Sequence, residues 1–196
     1  MEVVFDIGNV LLRWNPRNLY ASVFDDAAKM ERFLGDALAM SFIVQTDVAA
    51  SFADTIAERV RAYPEFAREL RLFDSRWMET LGAPIDENVA LLRRLKARGA
   101  RVHALSNFAH EKFALAADVH PFLSEFDVAV ISGREGVAKP DSRIFEILIE
   151  RVGHRDLLFI DDSPRNIEAA RAHGIAAIFY DPDVDLAQEL ARAGVL

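Results

Sequence analysis

The sequence contains no cysteine, and this absence excludes several kinds of chemistry. A chain without thiols forms no disulfide, holds no metal through thiolate and has no cysteine nucleophile. It also lacks a Gly-x-Ser-x-Gly elbow, a Walker phosphate loop and a Gly-x-Gly-x-x-Gly fingerprint. Their absence disfavours serine hydrolases, nucleoside triphosphatases and dinucleotide enzymes. The lack of thiols fits a reducing compartment, so we expect a cytoplasmic protein.

Long apolar runs and blocks of like charge are missing as well. No apolar segment approaches the length of a membrane span, and Glu2 stands where a secretion signal has basic residues. The net charge of −8 comes from acids and bases mixed along the chain, which favours solubility. Basic residues between 93 and 101 are typical of a solvated helix face. We therefore expect no membrane association and no nucleic-acid partner.

About half of the 196 residues are hydrophobic, and they occur in short runs that predict strands. The first run covers residues 3–5 and ends at Asp6, which precedes Gly8. Such a run is typical of a buried strand that ends in a polar turn. The same pattern recurs at residues 101–105, 128–131 and 157–160, and residues 175–180 predict a fifth strand.

Helical segments separate the later strands. Helices are predicted at residues 86–98, 141–151 and 164–173, each with a glycine one or two residues after its end. Continuous apolar strands that alternate with helices predict an α/β fold, a Rossmann-like parallel sheet with helices on both faces. In such folds the polar residues at the strand C-termini converge on one crevice. We expect the chemistry there.

Residues 15–82 interrupt this alternation. They contain helical patterns at 51–63 and 65–81, with no convincing strand between them. We therefore predict an α/β core domain of residues 1–14 and 83–196 and a small helical cap domain of residues 15–82, inserted after the first strand. This position lets the cap fold over the crevice and select substrates.

Three carboxylates, those of Asp6, Asp161 and Asp162, follow predicted strands and should meet at one edge of the sheet. Carboxylates held close together repel each other or take up protons unless a cation compensates, and a site of oxygen ligands without histidine or cysteine suits magnesium. Lys139 can add positive charge. Ser106 and the backbone N–H of Asn107 lie at a strand-to-helix turn, where they can hydrogen-bond an anionic oxygen.

Four segments in order along the chain resemble the motifs of the haloacid dehalogenase superfamily. They are Phe5-Asp6-Ile7-Gly8-Asn9-Val10, Leu105-Ser106-Asn107, Lys139-Pro140, and Ile160-Asp161-Asp162-Ser163-Pro164-Arg165-Asn166. The resemblance covers nearly the whole chain, including the helical insertion, which matches the cap of this superfamily. It extends to bacterial phosphatases of the sugar-phosphate phosphatase type and to 2-haloacid dehalogenases.

The resemblance implies a magnesium-dependent hydrolase whose nucleophile is Asp6. An aspartyl intermediate formed on Asp6 would then be hydrolysed by water, so that one difficult displacement becomes two easier ones. By the same resemblance, Asp6, the Gly8 carbonyl and Asp162 would contact Mg²⁺, with Asp161 a ligand or linked through water. Ser106 and Lys139 would hold the transferring phosphoryl group, and the substrate would be a small phosphorylated metabolite.

Gly8 departs from the superfamily pattern, since most of its phosphatases have a second aspartate at this position as general acid and base. A glycine transfers no protons, so this task would pass to Asn9 or a cap residue, or the rate would fall. Two alternatives stay open. A 2-haloacid dehalogenase uses the same nucleophile without a metal, and a non-catalytic binding or regulatory protein would keep only the fold.

Structural roles also compete for individual residues. Isolated aspartates such as Asp6, and the pair before Pro164, commonly cap helices. The five histidines show no spacing typical of a zinc site. Trp14, Arg13, Trp77 and the phenylalanines of the insertion could line a substrate pocket, although packing within the helical insertion is the more frequent role of such aromatics.

Overall fold

The computed structural model describes all 196 residues and contains a five-stranded parallel sheet. The spatial order of the strands is β5-β4-β1-β6-β7. Their bounds are β1 Glu2–Phe5, β4 Val102–Ser106, β5 Val128–Ile131, β6 Leu157–Asp161 and β7 Ala176–Phe179. The predicted α/β fold with a parallel sheet is therefore confirmed. No helix combines the length and the apolarity needed to cross a membrane.

The direction of chain growth changes at β1, and this change determines where a crevice forms. From β1 the chain proceeds outward through β4 and β5, and it then returns to the other side of β1 to add β6 and β7. Strand β1 pairs in parallel with β4 through Val3–Val102 and with β6 through Val3–Leu158. In open parallel sheets, a crevice forms outside the carboxyl ends of the strands at such a switch point.

The helices of the core lie on both faces of this sheet. Successive side chains of a strand point to opposite faces, so Val3 and Phe5 enter one apolar cluster while Val4 enters the other. The helices predicted at 86–98, 141–151 and 164–173 are present with ends shifted by one residue. The core helices are α6 Asp86–Ala97, α7 His110–Val119, α8 Ser132–Glu135, α9 Ser142–Val152, α10 Pro164–Ala172 and α11 Leu186–Arg192.

The segment between β1 and α6 is mainly helical but begins and ends in a small antiparallel ribbon. Strand β2 (Leu12–Trp14) pairs with β3 (Leu81–Pro84). A Cβ on Gly82 would lie 2.9 Å from the Cβ of Arg13, so the absence of a side chain at Gly82 permits this approach. The ribbon was not expected from the sequence. The helices between its strands are α1 Arg17–Tyr20, α2 Ala27–Arg32, a π-helical turn Phe33–Ala37, α3 Met40–Val48, α4 Phe52–Ala62 and α5 Ala67–Ser75.

The prediction of one helix over residues 65–81 is wrong. The chain forms a 3₁₀ turn at Pro64–Phe66, helix α5, and a second 3₁₀ turn at Trp77–Thr80. Helical geometry ends at Arg76, where φ is −120° and ψ is 23°. The break allows the chain to reach β3, and it buries the Trp77 side chain against Phe108, with ring centroids 5.3 Å apart. Tertiary packing thus overrides a helical pattern.

Contacts between the insertion and the core hold the insertion over the sheet. Lys112 of α7 donates a hydrogen bond to the Asp74 carboxylate of α5 at 2.6 Å and to the Asp74 carbonyl at 3.0 Å. Its ammonium also lies 4.4 Å from the ring centroid of Phe52. The largest apolar cluster contains side chains from both parts, so one continuous core joins them.

Candidate functional site

Three carboxylates meet at the carboxyl edge of the central strands. Asp6 directly follows β1, Asp161 ends β6, and Asp162 comes next along the chain. One oxygen from each of these carboxylates lies within 4.8 Å of the others. Residues from opposite ends of the sequence are brought together because β1 and β6 are neighbours with parallel register. The expectation that these three aspartates meet is fulfilled.

Lys139 lies between two of these carboxylates. Its Nζ is 2.9 Å from Asp6 Oδ1 and 2.6 Å from Asp161 Oδ2, and it also donates to the Leu105 carbonyl at 2.8 Å. An ammonium has three N–H donors, so these three acceptors account for all of them. Because only 3% of Lys139 is exposed, its charge is held in one place.

Asn107 holds the backbone of Lys139. The Asn107 side-chain amide donates to the Lys139 carbonyl at 3.0 Å, and its oxygen accepts from the Lys139 backbone N–H at 2.8 Å. The prediction named the backbone N–H of Asn107 as a ligand for an anion. Its side chain has a second role, which is to join the loop after β4 to the segment that carries Lys139.

Asp161 and Asp162 differ in exposure although they are adjacent. Asp161 is completely buried and accepts hydrogen bonds from Lys139, from the Ser163 backbone N–H at 2.8 Å and from Asn166 Nδ2 at 2.9 and 3.1 Å. Asp162 is half-buried and lines a cavity that Asp161 does not reach. The geometry therefore makes Asp162 the more accessible oxygen donor, while Asp161 orients Lys139.

The carboxylate cluster carries more negative charge than Lys139 balances. The pKa of Asp6 is raised to about 7, mainly by burial; the charges of Asp161 and Asp162 contribute to the increase, and Lys139 opposes it. The pKa of Asp162 is also raised, first by burial and then by Asp161. Three carboxylates around one ammonium leave room for a divalent cation, and an all-oxygen set of donors is the kind that Mg²⁺ accepts. The residues present fit that ion.

The remaining predicted residues surround this cluster. Gly8 lines the cavity, and a Cβ at this position would meet no atom within 4 Å. Asn107 also lines the cavity. Ser106 is 1% exposed at the end of β4 and lies outside the cavity wall, so its role in phosphate binding stays a prediction. Asn9 adopts a left-handed conformation with φ of 54° and accepts from the Trp14 backbone N–H at 3.0 Å, which supports the turn after Asp6.

A cavity of about 420 Å³ lies over the carboxylates, between the core and the insertion. Hydrophobic residues make up 9 of its 19 lining residues, among them Trp14, Ile43, Val44, Trp77 and Phe108. Of the candidate pocket residues named from the sequence, both tryptophans are part of the wall, and Trp77 packs in the core as well. Arg13 and the phenylalanines of the insertion are not among the wall residues, so that part of the prediction is wrong.

Asp47 is an ionisable residue of the cavity wall that was not predicted from the sequence. It belongs to α3, and its backbone carbonyl accepts from the buried Ser132 Oγ at 2.7 Å. The pKa of its carboxyl group is raised to about 7, mainly by burial; the backbone of Ala109 opposes this increase, and the charge of Asp6 contributes to it. The sequence signal was weak, because Asp47 is one of many aspartates and follows no strand.

Known proteins of similar sequence or structure include a phosphatase and enzymes of the haloacid dehalogenase family. The sesquiterpene phosphatase astK of Aspergillus oryzae is 24% identical over 96% of this chain and 94% of its own length. A haloacid dehalogenase family enzyme of Bacteroides thetaiotaomicron, crystallised as a single-residue mutant with magnesium and inorganic phosphate, is 20% identical with a TM-score of 0.73, covering 95% of this chain and 97% of its own. A crystallised dehalogenase is 18% identical with a TM-score of 0.65, covering 95% and 89% of the two chains.

The sequence also matches a family as a whole. The description of that family is haloacid dehalogenase-like hydrolase, and the match extends over residues 3–174. This range includes all four motifs, the helical insertion, strands β4 and β6, and all of β1 except its first residue. The chain therefore belongs to the haloacid dehalogenase-like hydrolases.

Proposed function

We propose that this protein is a magnesium-dependent phosphatase that hydrolyses a small phosphate monoester through an aspartyl-phosphate on Asp6. The observation that carries the proposal is the pairing of Asp6 with Lys139, next to two further carboxylates and at the base of a cavity. The phosphatase name of the Aspergillus relative supports the same reaction class.

The residues that would hold Mg²⁺ are Asp6, Asp162 and the Gly8 carbonyl. Asp161 would act through Lys139 or through a water, because its oxygens already accept four hydrogen bonds from protein donors. When bound, the ion supplies positive charge that stabilises the charge developing on the transferring phosphoryl group. The magnesium and phosphate in the Bacteroides enzyme support this choice of ion.

Asp6 is oriented for attack by hydrogen bonds to one of its oxygens. Asp6 Oδ1 accepts from the Ile7 backbone N–H at 2.7 Å and from Lys139. No protein donor contacts Oδ2, which is therefore the oxygen available to phosphorus or metal. Lys139 would balance charge on the bound phosphate, and Ser106 and the Asn107 backbone N–H would donate hydrogen bonds to it. The attack forms the Asp6–phosphate bond and breaks the ester bond, and water then hydrolyses the intermediate.

The cavity wall favours a substrate whose alcohol portion is apolar and uncharged. Asp6, Asp47, Lys139 and Asp162 are the only ionisable side chains in the wall, so Lys139 is the only cation there. The acceptors of Lys139 already engage its three N–H groups. A second anionic group on the substrate would be desolvated without a partner, which is costly. Aliphatic and aromatic side chains instead offer apolar contact area.

This substrate class is tested by comparing octyl phosphate with 3-phosphoglycerate, which carries a carboxylate. We expect kcat/KM for octyl phosphate to be higher by at least about tenfold, the discrimination that a hydrophobic pocket readily provides. Val44→Lys, which adds a cation to the wall, should narrow this ratio. A preference of the unmodified protein for 3-phosphoglycerate would contradict the proposed substrate class.

A 2-haloacid dehalogenase is the second candidate, and the fold similarity to a crystallised dehalogenase supports it. The use of Asp6 as nucleophile would be common to both reactions. The cluster of three carboxylates favours the phosphatase, because it provides oxygen donors for an ion that the dehalogenase reaction does not use. The third possibility, a non-catalytic binding or regulatory protein, would leave Asp6 and Lys139 without a chemical task.

Two release assays together separate the three possibilities. Release of inorganic phosphate from a panel of phosphate monoesters and release of chloride from 2-chloropropionate are measured with Mg²⁺ and with EDTA, for the unmodified protein and for Asp6→Asn. We expect turnover only with Mg²⁺ and only with Asp6 intact. Asp36→Asn, a change at an exposed aspartate of the insertion, is the matched control and should keep full activity.

Three results would contradict the proposal. Chloride release from 2-chloropropionate in EDTA, without phosphate release from any ester, would support a dehalogenase. Full phosphatase activity without metal would remove the assigned role of the carboxylate cluster. A folded protein with no turnover of either substrate class would support a binding function.

A further inference from the structure

A phosphatase that releases an aliphatic alcohol needs a proton donor, because an alkoxide is a poor leaving group. Four ionisable side chains line the cavity, and three of them already have tasks. Asp6 is the proposed nucleophile and Asp162 a proposed ligand, while Lys139 uses its three N–H groups in fixed hydrogen bonds. No histidine lines the cavity. Asp47 is therefore the one ionisable group without an assigned task.

Asp47 reaches the cavity from the insertion and is held in place by the core. Its backbone carbonyl accepts from Ser132 Oγ at 2.7 Å, and the same oxygen of Ser132 accepts from the Phe108 backbone N–H at 2.8 Å. The backbone of Ala109 lies near its carboxyl group and lowers its pKa. These contacts join the end of α3 to the loop after β4, so the acid occupies a defined position in the wall.

The charges around Asp47 make it suited to proton transfer. Burial raises the pKa of its carboxyl group to about 7 and the negative charge of Asp6 raises it, whereas Ala109 and the Lys139 ammonium oppose the shift. A group with a pKa near neutrality is present in both protonation states, which general acid–base catalysis requires. Gly8 supplies no competing acid.

We propose that Asp47 is a catalytic residue that protonates the leaving alcohol and then accepts a proton from the attacking water. The assignment rests on the proposed phosphatase function. In the first step, Asp6 bonds to phosphorus, the bond from phosphorus to the ester oxygen breaks, and the Asp47 proton moves to that oxygen. In the second step, water attacks the aspartyl-phosphate, Asp47 takes one of its protons, and phosphate leaves with Asp6 restored as a carboxylate.

The test compares two substrates that differ in their need for a proton. Octyl phosphate releases an alkoxide unless it is protonated, whereas p-nitrophenyl phosphate releases a phenolate that is stable without a proton. We expect Asp47→Asn to lower kcat/KM for octyl phosphate by about 10²- to 10⁴-fold, the usual contribution of general acid–base catalysis. The value for p-nitrophenyl phosphate should change less than about tenfold, because its release does not need that contribution.

The control variant and the outcomes separate this assignment from the proposed function. Asp36→Asn should leave both values unchanged. Equal losses on both substrates in Asp47→Asn would show a structural role and overturn the assignment, and so would unchanged activity on octyl phosphate. If the unmodified protein with Mg²⁺ hydrolyses neither ester, the proposed function itself fails. If Asp6→Asn abolishes the hydrolysis of both esters, the proposed phosphatase function is supported whatever the result for Asp47→Asn.

Discussion

Replacement of Asp6 by asparagine should stabilise the metal-free protein while it abolishes turnover. Asp6 is 7% exposed, and its pKa is raised from 3.8 to about 7, first by burial and then by the other carboxylates. An acid whose pKa is higher in the folded state loses its proton first in the unfolded chain. The free energy of unfolding therefore falls as the pH rises from 3.8 through 7, and it is highest below this range.

The magnitude follows from the two pKa values. The two pKa values differ by about 3 pK units, and each unit corresponds to about 1.4 kcal/mol, so the free energy of unfolding is lower by about 4 kcal/mol at pH 8. At pH 5 it is lower by about 2 kcal/mol, because this pH lies between the two pKa values. Asparagine is neutral at every pH and avoids this loss. In EDTA, the free energy of unfolding of Asp6→Asn should thus exceed that of the unmodified protein by about 4 kcal/mol at pH 8 and by about half of this at pH 5.

Urea unfolding in EDTA at pH 8 and at pH 5 measures this effect. The control Asp36→Asn should have the same free energy of unfolding as the unmodified protein at both pH values. Added Mg²⁺ should stabilise the unmodified protein, by about 2.7 kcal/mol at one hundred times the dissociation constant. It should stabilise Asp6→Asn less, because a proposed ligand is gone. An Asp6→Asn protein that is less stable than the unmodified one at pH 8 would refute the view that Asp6 is held at an electrostatic cost.

Three further changes test other parts of the site. Lys139→Met should remove phosphatase activity and lower the free energy of unfolding by about 3–5 kcal/mol, because buried carboxylates lose their cation; urea unfolding and phosphate release measure both. Gly133→Ala should destabilise the protein by about 1–3 kcal/mol, as seen by thermal unfolding, since a Cβ there would lie 2.3 Å from the His110 backbone nitrogen. Gly8→Asp, added to Asp47→Asn, should restore part of the octyl phosphate activity, because a side chain has space at Gly8; an unimproved double variant would contradict this expectation.

The arrangement of the core was predictable because its signals are local. Continuous apolar runs indicated buried strands, and glycines indicated the ends of helices. Gly153, for example, directly follows α9 and has a φ of 92°. Once strands and helices alternate, a parallel sheet is the arrangement that buries both faces. The meeting of Asp6 with Asp161 and Asp162 then followed from their positions after strands, without knowledge of any distance.

The insertion was less predictable because its structure depends on contacts with distant residues. Strands β2 and β3 lie at opposite ends of the insertion, and each is too short to show a periodic pattern. The segment 65–81 has helical periodicity, yet it breaks at Arg76 so that Trp77 can pack on Phe108. The wall of the cavity is formed by such contacts between distant residues, so its apolar character could not be predicted from the sequence either.

The sequence by itself determined the fold class and the residues around the carboxylate cluster, because these depend on apolar periodicity and on the ends of strands. Only the tertiary structure decided which groups act together. It divided the roles of Asp161 and Asp162 by burial, fixed Lys139 through three acceptors, and brought Asp47 of the insertion into the cavity. These properties arise from proximity and desolvation, which exist only once the chain has folded and have no local signature along it.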